Sequence, residues 1–370
     1  MGYLDRVHAP GPKKLLALDG GGLRGALTVE ILAGLEELLR RRTGAGADFV
    51  LADYFDYVAG TSTGAIIAAC IAKGMSMHEI GLLYTEHGRE MFDRSFLLKR
   101  FAHRYDSDRL REMLQLKLGT DTTMGDPALR TLLMMVLRNA TTDSPWPLSN
   151  TPGARYNQPE HPDCNLRIPL WQLVLASTAA PTYFQPEAID IGTQQFVFVD
   201  GGVTMYNNPA FQLFLMATLP EYGLGWATGE DQLLLVSVGT GTAAKADDRL
   251  QPRQMNLLYN AGSVPAALMA AALHQQDTLC RVLGRCRFGP VLDREIGDLI
   301  APPGILESRL MTYVRYCPDL SARGLAMLGL SDIRPEDVQR LDSVDHIDDL
   351  RRIGTVAART YLKDEHFKGF

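Results

Sequence analysis

The chain has 370 residues, 46% of them hydrophobic and 22% charged, a balance that fits a globular protein with a sizeable core. Its net charge of -6 argues against a partner that is a nucleic-acid polymer, which needs a basic stripe, and against a strongly polybasic membrane anchor. Its 5 cysteines are irregularly spaced and form no C-x-x-C pair, so no metal site is expected and free thiols in a reducing compartment are. No apolar stretch reaches spanning length, and Met1 to Arg6 has neither the basic start nor the apolar run of a signal peptide. The expectation is a cytoplasmic protein.

Residues 13–18 (KKLLAL) predict a short buried strand that ends at Asp19. A glycine-rich loop follows, Asp19-Gly20-Gly21-Gly22-Leu23-Arg24-Gly25. Ala26, Leu27, Val29, Ile31, Leu32, Leu35, Leu38 and Leu39 then recur at helical spacing, and Gly44 and Gly46 end that helix. Tyr57-Val58-Ala59 predicts a second short strand, which leads into Gly60-Thr61-Ser62-Thr63-Gly64 and a nearly all-apolar, buried helix to Lys73. Residues 77–118 read as helical with a break near Asp106. Leu132 to Leu137 predicts a strand, and the proline-rich stretch from Asn139 to Pro169 a long surface loop. Phe196 to Val199 predicts a strand ending at Asp200-Gly201-Gly202. Asn208-Pro209 suits a helix start, and Leu233 to Val238 predicts a strand ending in Gly239-Thr240-Gly241. From Met255 the chain reads as mainly helical, closing with a charged amphipathic helix near Val344 to Leu362. Strands alternating with helices predict an α/β sandwich.

A serine between glycines, after an apolar run and before a helix, is the pattern of a nucleophile on a sharp strand-to-helix turn. Its hydroxyl needs a base. Of the 8 histidines only His274, His346 and His366 follow Asp200, and none lies in a glycine-flanked loop. Asp200 ends a strand and is expected at the sheet edge that carries Ser62, where ligands bind in open α/β sheets. A carboxylate within about 2.6–3.2 Å can take the serine proton directly. Its unperturbed pKa of about 3.9 makes it a weak base, which desolvation would strengthen. Backbone N–H groups at Gly21 and Gly22 are candidates for the oxyanion hole, and Arg24 either holds the loop or meets a substrate phosphate. The spacing Gly20-x-Gly22-x-x-Gly25 also fits a dinucleotide fingerprint, but the next strand ends in the serine turn instead of a ribose-binding acid. Two other outcomes stay open: a Ser-His-Asp esterase using His274, and a binding protein that keeps the fold without catalysis. The run from Met91 to Phe101 mixes aromatic with basic residues, which suits either a cap over the core or a lipid-facing segment.

The chain resembles the patatin-like phospholipase family. Asp19 to Gly25 resembles its oxyanion loop, Gly60 to Gly64 its nucleophile elbow, and Asp200-Gly201-Gly202 its catalytic Asp-Gly-Gly/Ala motif. Ala176 to Phe184 (ASTAAPTYF) and Val238 to Gly241 are also similar to stretches of that family. The resemblance implies a single three-layer α/β/α domain over 1–370 with a mainly parallel sheet. Its catalytic core would span about 13–242, and a mainly helical C-terminal part about 243–370. It implies a Ser62–Asp200 dyad acting on phospholipid or related acyl esters, no cofactor, and peripheral contact with a membrane surface during action. Ser144 to Asn150 and the compact length are similar to bacterial members, some of which are anti-phage effectors switched on by cyclic dinucleotides. A cyclic dinucleotide activator is the corresponding expectation, and a homo-oligomer stays open.

Overall fold

The apolar runs at 13–18, 57–61 and 233–238 become adjacent strands at the centre of one sheet. The computed structural model describes residues 2–92, 106–181, 184–242, 253, 257–300 and 306–370. Among them nine strands form the sheet: β1 (Lys13–Leu18), β2 (Tyr57–Thr61), β3 (Leu132–Asn139), β4 (Ser144–Ser149), β5 (Glu187–Ile191), β6 (Gln194–Asp200), β7 (Leu233–Val238), β8 (Arg285–Phe288) and β9 (Thr312–Tyr316). Hydrogen-bonded neighbours run β5-β6-β3-β2-β1-β7-β9-β8, with β4 also on β3. From β3 to β8 every pair along this order is parallel, while β4, β5 and β6 join through antiparallel pairs. The central strands are buried on both faces, which is why they read as unbroken apolar runs.

The helices of eight residues or more are α1 (Gly25–Thr43), α2 (Thr63–Ala72), α3 (Met77–Phe92), α4 (Asp106–Leu118), α5 (Leu170–Ser177), α6 (Ala210–Thr218), α7 (Leu257–Leu283) and α8 (Ile347–Tyr361). Gly44 ends α1 in the left-handed conformation, at φ 67°. α1 packs against α3 and α8, and α2 lies on β2 and β3. α6 covers β1 and β7, and α7 runs beside α6 back to β8. The connections β1-α1-β2-α2-β3 step one way along the sheet and those through α6 and α7 step the other way, so the right-handed rule for crossovers assigns the two sets to opposite faces, a three-layer α/β/α arrangement.

Three departures from the sequence expectations bear on the site. The proline-rich stretch after Asn139 is not all loop: β4 pairs along β3 from Met134 to Asn139, with Pro145 and Pro147 on this edge strand. Prolines two residues apart share one phase of the ladder, so their missing N–H groups fall where no partner strand needs them. β5 is a further strand that the sequence pattern does not predict, and it pairs with β6 as a hairpin. The C-terminal part, mainly helical as expected, also supplies two unexpected strands: β9 pairs with β7 and β8 with β9, extending the central sheet. Of the run Met91 to Phe101, residues 93–101 lie outside the described residues.

Because β9 lies directly against β7, a chain ending at Thr242 would expose the long edge of a fully buried strand. Such a truncated chain is expected to show no cooperative thermal transition by far-UV circular dichroism. A sharp transition in it would mean that the first 242 residues fold on their own.

Candidate active site

The register around β3 decides where Asp200 falls. Met134 to Val136 pair with both β2 and β4, while Leu137 to Asn139 pair with both β6 and β4. A strand has two edges, so β2 and β6 share one edge of β3 and β4 takes the other. The two strands meet end to end, with Thr61 opposite Val136 and Asp200 opposite Leu137. β6 runs antiparallel, so the rule that parallel strands present their carboxyl ends at one edge is not what places Asp200. The stagger of β6 along β3 does.

Ser62 follows β2 directly and precedes α2, with φ 55° and ψ −123°. A positive φ at a non-glycine residue is strained, by about 1–3 kcal/mol, and here it turns the side chain out of the strand. The turn is tight because Gly60 and Gly64 face each other: a Cβ on Gly60 would strike the Gly64 carbonyl, and one on Gly64 the Leu18 carbonyl. The Ser62 N–H donates to Ser177 Oγ at 3.0 Å, and Ser177 Oγ donates to the Val136 carbonyl at 2.7 Å. The strained turn is thus fastened to α5 and β3.

The Ser62 hydroxyl donates to Asp200 Oδ2 at 2.6 Å, and the Gly202 N–H donates to Asp200 Oδ1 at 2.6 Å. Ser62 is 9% exposed and Asp200 5%. Burial pushes the Asp200 carboxyl up to about 6, against the pull of the hydrogen bonds from Ser62 and Gly202. Gly201 lies over the Val136 carbonyl.

The glycine loop leaves β1 beside this pair. Gly20 is close enough that a Cβ there would lie 3.3 Å from Ser62 Cβ, and its N–H donates to the Asn207 carbonyl at 3.0 Å. Gly22 is at φ 58°, a conformation that favours glycine. Among the described residues the N–H groups of Gly21 and Gly22 form no hydrogen bond. Gly25 opens α1 against Thr63 and Tyr84, and Arg24 is turned back, donating to the Gly241 carbonyl at 3.3 Å. Arg24 therefore braces the loop.

His274 does not reach this cluster. It is an exposed residue of α7, and no histidine bonds Ser62 or Asp200 among the described residues. A Ser-His-Asp arrangement with His274 has no geometric basis. Within the described residues no cluster of three or more His, Cys, Asp or Glu is placed to hold a metal ion, and no helix is long and apolar enough to cross a membrane.

Sequence reasoning missed Ser177, Thr240 and Arg315 as site residues. Ser177 lies in the ASTAAPTYF stretch, of which Thr182 and Tyr183 fall outside the described residues. Thr240 lies in the Gly239-Thr240-Gly241 motif, and its hydroxyl donates to the Gly20 carbonyl at 3.0 Å. Arg315 sits in a stretch with no motif, and its role appears only once β9 is placed beside β7.

A serine on a strained strand-to-helix turn, bonded to an aspartate with no histidine between them and flanked by a glycine loop, defines a class of α/β protein built on a Ser–Asp pair. The chain belongs to the patatin-like phospholipase family, whose model matches residues 16–214. It is 30% identical over 234 residues to a cGAMP-activated phospholipase of Escherichia coli (strain TW11681), covering 61% of this chain and 62% of that one. It is 33% identical over 216 residues to a cGAMP-activated phospholipase of Vibrio cholerae serotype O1 (strain ATCC 39315 / El Tor Inaba N16961), covering 55% and 57%. Patatin-17 of Solanum cardiophyllum is 31% identical over 250 residues, covering 63% and 61%. The matched part thus spans about three-fifths of each of these relatives.

The raised Asp200 carboxyl has a consequence for stability. The folded chain holds this proton more tightly than the unfolded chain, whose value is near 3.8. Ionisation therefore works against folding, by about 3 kcal/mol for two pKa units. The penalty is absent below about pH 4 and complete above about pH 6. Asp200→Asn is expected to be more stable than the wild type at pH 8 by up to that amount, and nearly equal to it at pH 4, in urea unfolding. A gain of equal size at both pH values would contradict the assignment.

Proposed function

We propose that the protein is a serine lipid acyl hydrolase that cleaves phospholipid or related acyl esters with a Ser62–Asp200 dyad. The observation that carries this reading is the 2.6 Å hydrogen bond from Ser62 to a buried carboxylate, beside a glycine loop with two unused amide donors. Asp200 takes the Ser62 proton as Oγ attacks the acyl carbonyl carbon. The carbonyl oxygen becomes an oxyanion, which accepts hydrogen bonds donated by the N–H groups of Gly21 and Gly22, the oxyanion hole. Collapse breaks the ester bond, and the departing alcohol takes the proton from Asp200, leaving Ser62 acylated. Water then gives a proton to Asp200, attacks the acyl carbon, and frees the fatty acid as the proton returns to Ser62. The α2 N-terminus favours the negative charge that builds beside it. The carboxyl near 6 suits the base role, since it is ionised at neutral pH yet more basic than a free aspartate.

A lipid surface is the natural source of substrate. Val203 and Met205 are 41% and 49% exposed in the loop after Gly202, which Thr61 ties to the elbow through the Tyr206 carbonyl at 2.7 Å. Two apolar side chains at the mouth of the site support peripheral contact with a bilayer. The two bacterial relatives are named for activation by cGAMP. By that likeness we include a cyclic dinucleotide as activator and anti-phage defence as the setting, with the enzyme idle until the nucleotide binds.

Fatty-acid release from phospholipid vesicles, with cGAMP present, tests the dyad. Ser62→Ala and Asp200→Asn are each expected to lose at least about a thousandfold in rate, while His274→Ala keeps it. Met205→Asp should lose vesicle hydrolysis but retain hydrolysis of a soluble ester. Activity should fall away below about pH 6 as Asp200 takes up its proton. Equal rates for wild type and Ser62→Ala would end the enzyme reading.

Activation is separable from chemistry. Labelled cyclic dinucleotides are expected to bind at equilibrium to both the wild type and Ser62→Ala, and to raise vesicle hydrolysis only in the former. Failure of every cyclic dinucleotide to bind would remove the activator.

A further inference from the structure

The glycine loop is held almost entirely by residues far along the chain. Asp19, its first residue, is fully buried, and its carboxylate is gripped by both ends of the Arg315 guanidinium. One of these bonds, from Nη1 to Oδ1, is 2.8 Å, and the same Nη1 donates to Ser237 Oγ at 2.6 Å. Arg315 itself is 1% exposed. The Gly20 carbonyl accepts from Thr240, the Leu23 N–H donates to the Leu341 carbonyl at 2.9 Å, and Arg24 reaches the Gly241 carbonyl. Residues 19, 20, 23 and 24 are therefore pinned, and Gly21 and Gly22, with their unbonded N–H groups, lie between the pins.

A buried ion pair is a weak source of net stability, because desolvation consumes most of the attraction. Its geometry is another matter. A planar guanidinium on a carboxylate makes two parallel bonds and fixes the carboxylate in direction as well as in distance. Here that fixed direction belongs to the residue that launches the loop. Arg315 lies on β9, well past the family match that ends at residue 214.

We propose that Arg315 is a positioning residue of the active site: through Asp19 it aims the Gly21 and Gly22 amides at the oxyanion, so that the C-terminal part completes the catalytic machinery. The proposal rests on the Ser62–Asp200 reading for its chemistry. Its consequence is a selective one. Loss of the grip should leave Ser62 and Asp200 bonded and the substrate cleft in place, and should weaken only the stabilisation of the oxyanion.

The test uses the full chain and a soluble fluorophosphonate: Ser62 Oγ attacks phosphorus and displaces fluoride, and negative charge builds on the phosphoryl oxygen where the oxyanion would form. The rate of adduct formation is read by intact mass, with Ser62→Ala as blank, and thermal melts are recorded in parallel. Arg315→Gln is expected to slow labelling about a hundredfold or more, the usual effect of losing one oxyanion donor. On a soluble p-nitrophenyl ester the same variant should lose kcat with KM nearly unchanged. Arg315→Lys should recover only part of the rate, since an ammonium cannot make two parallel bonds. The paired variant Asp19→Asn with Arg315→Gln removes both charges, so it is expected to regain thermal stability without regaining the rate. Wild-type labelling in the folded paired variant, or a rate that simply follows the melting temperature across the set, would overturn the proposal. The probe carries no lipid, so the ratio of variant to wild type reads the grip on the loop whatever the natural ester is.

Discussion

The site depends on a carboxylate buried with no cation beside it among the described residues. Asp200 has a hydroxyl and an amide for company, and both are too weak to cancel the loss of water around a charge. Asp19 offers the contrast within the same molecule. Each of the two aspartates stands at the end of a strand and next to glycines, and both are buried. Asp19 faces a guanidinium that satisfies both oxygens, which makes it a fixed strut. Asp200 keeps one oxygen on a hydroxyl that can give up its proton. Burial pushes both carboxyls up, so the difference lies in the partner rather than in the residue: a guanidinium holds Asp19 in place, while Asp200 faces a hydroxyl whose proton it can take.

That unpaired carboxylate reaches Ser62 only because two strands end against each other on one edge of β3. A shift of β6 by one residue would turn the Asp200 side chain to the other face of the sheet. The register is held outside the site: β5 pairs with β6 over five residues, and Asp200 N–H donates to the Ala179 carbonyl at 2.9 Å. On the other side, the strain at Ser62 is borne by contacts that leave no room for a relaxed turn, through Gly60, Gly64 and Ser177. Ser62 and Asp200 are thus both set by backbone packing, and the hydrogen bond between them is a result of it.

Much of this was legible in the sequence because the relevant signals are local. The strands at 13–18 and 233–238 were read with the bounds they have, since buried parallel strands are plain apolar runs between turn residues. The glycines around Ser62 and after Asp19 announce close backbone approach, and Asp200-Gly201-Gly202 announces a turn at a strand end. What stayed hidden is non-local or breaks a local rule. β4 contains two prolines, which argue against a strand unless it is known to lie on an edge. β9 carries a central arginine, Thr312-Tyr313-Val314-Arg315-Tyr316, which spoils the apolar run until Asp19 is known to meet it. The position of Asp200 was expected from strand ends alone, whereas an antiparallel stagger produces it.

The same non-local contacts join the C-terminal part to the chemistry. β9 touches the glycine loop through Arg315, and the segment before α8 touches it through Leu341. An effector changes activity only by binding one state of the protein better than another. If the proposed nucleotide binds the C-terminal part, it need not approach Ser62 to act. It has only to favour the state in which Arg315 and Leu341 grip the loop. The dyad can then stay assembled in both states, with its hydrogen bond intact, while the oxyanion donors are aimed in one state alone. Control of this kind acts on transition-state binding and leaves the substrate cleft unchanged. On that proposal, a hydrolytic site and a nucleotide-responsive part would have a physical reason to share one continuous sheet.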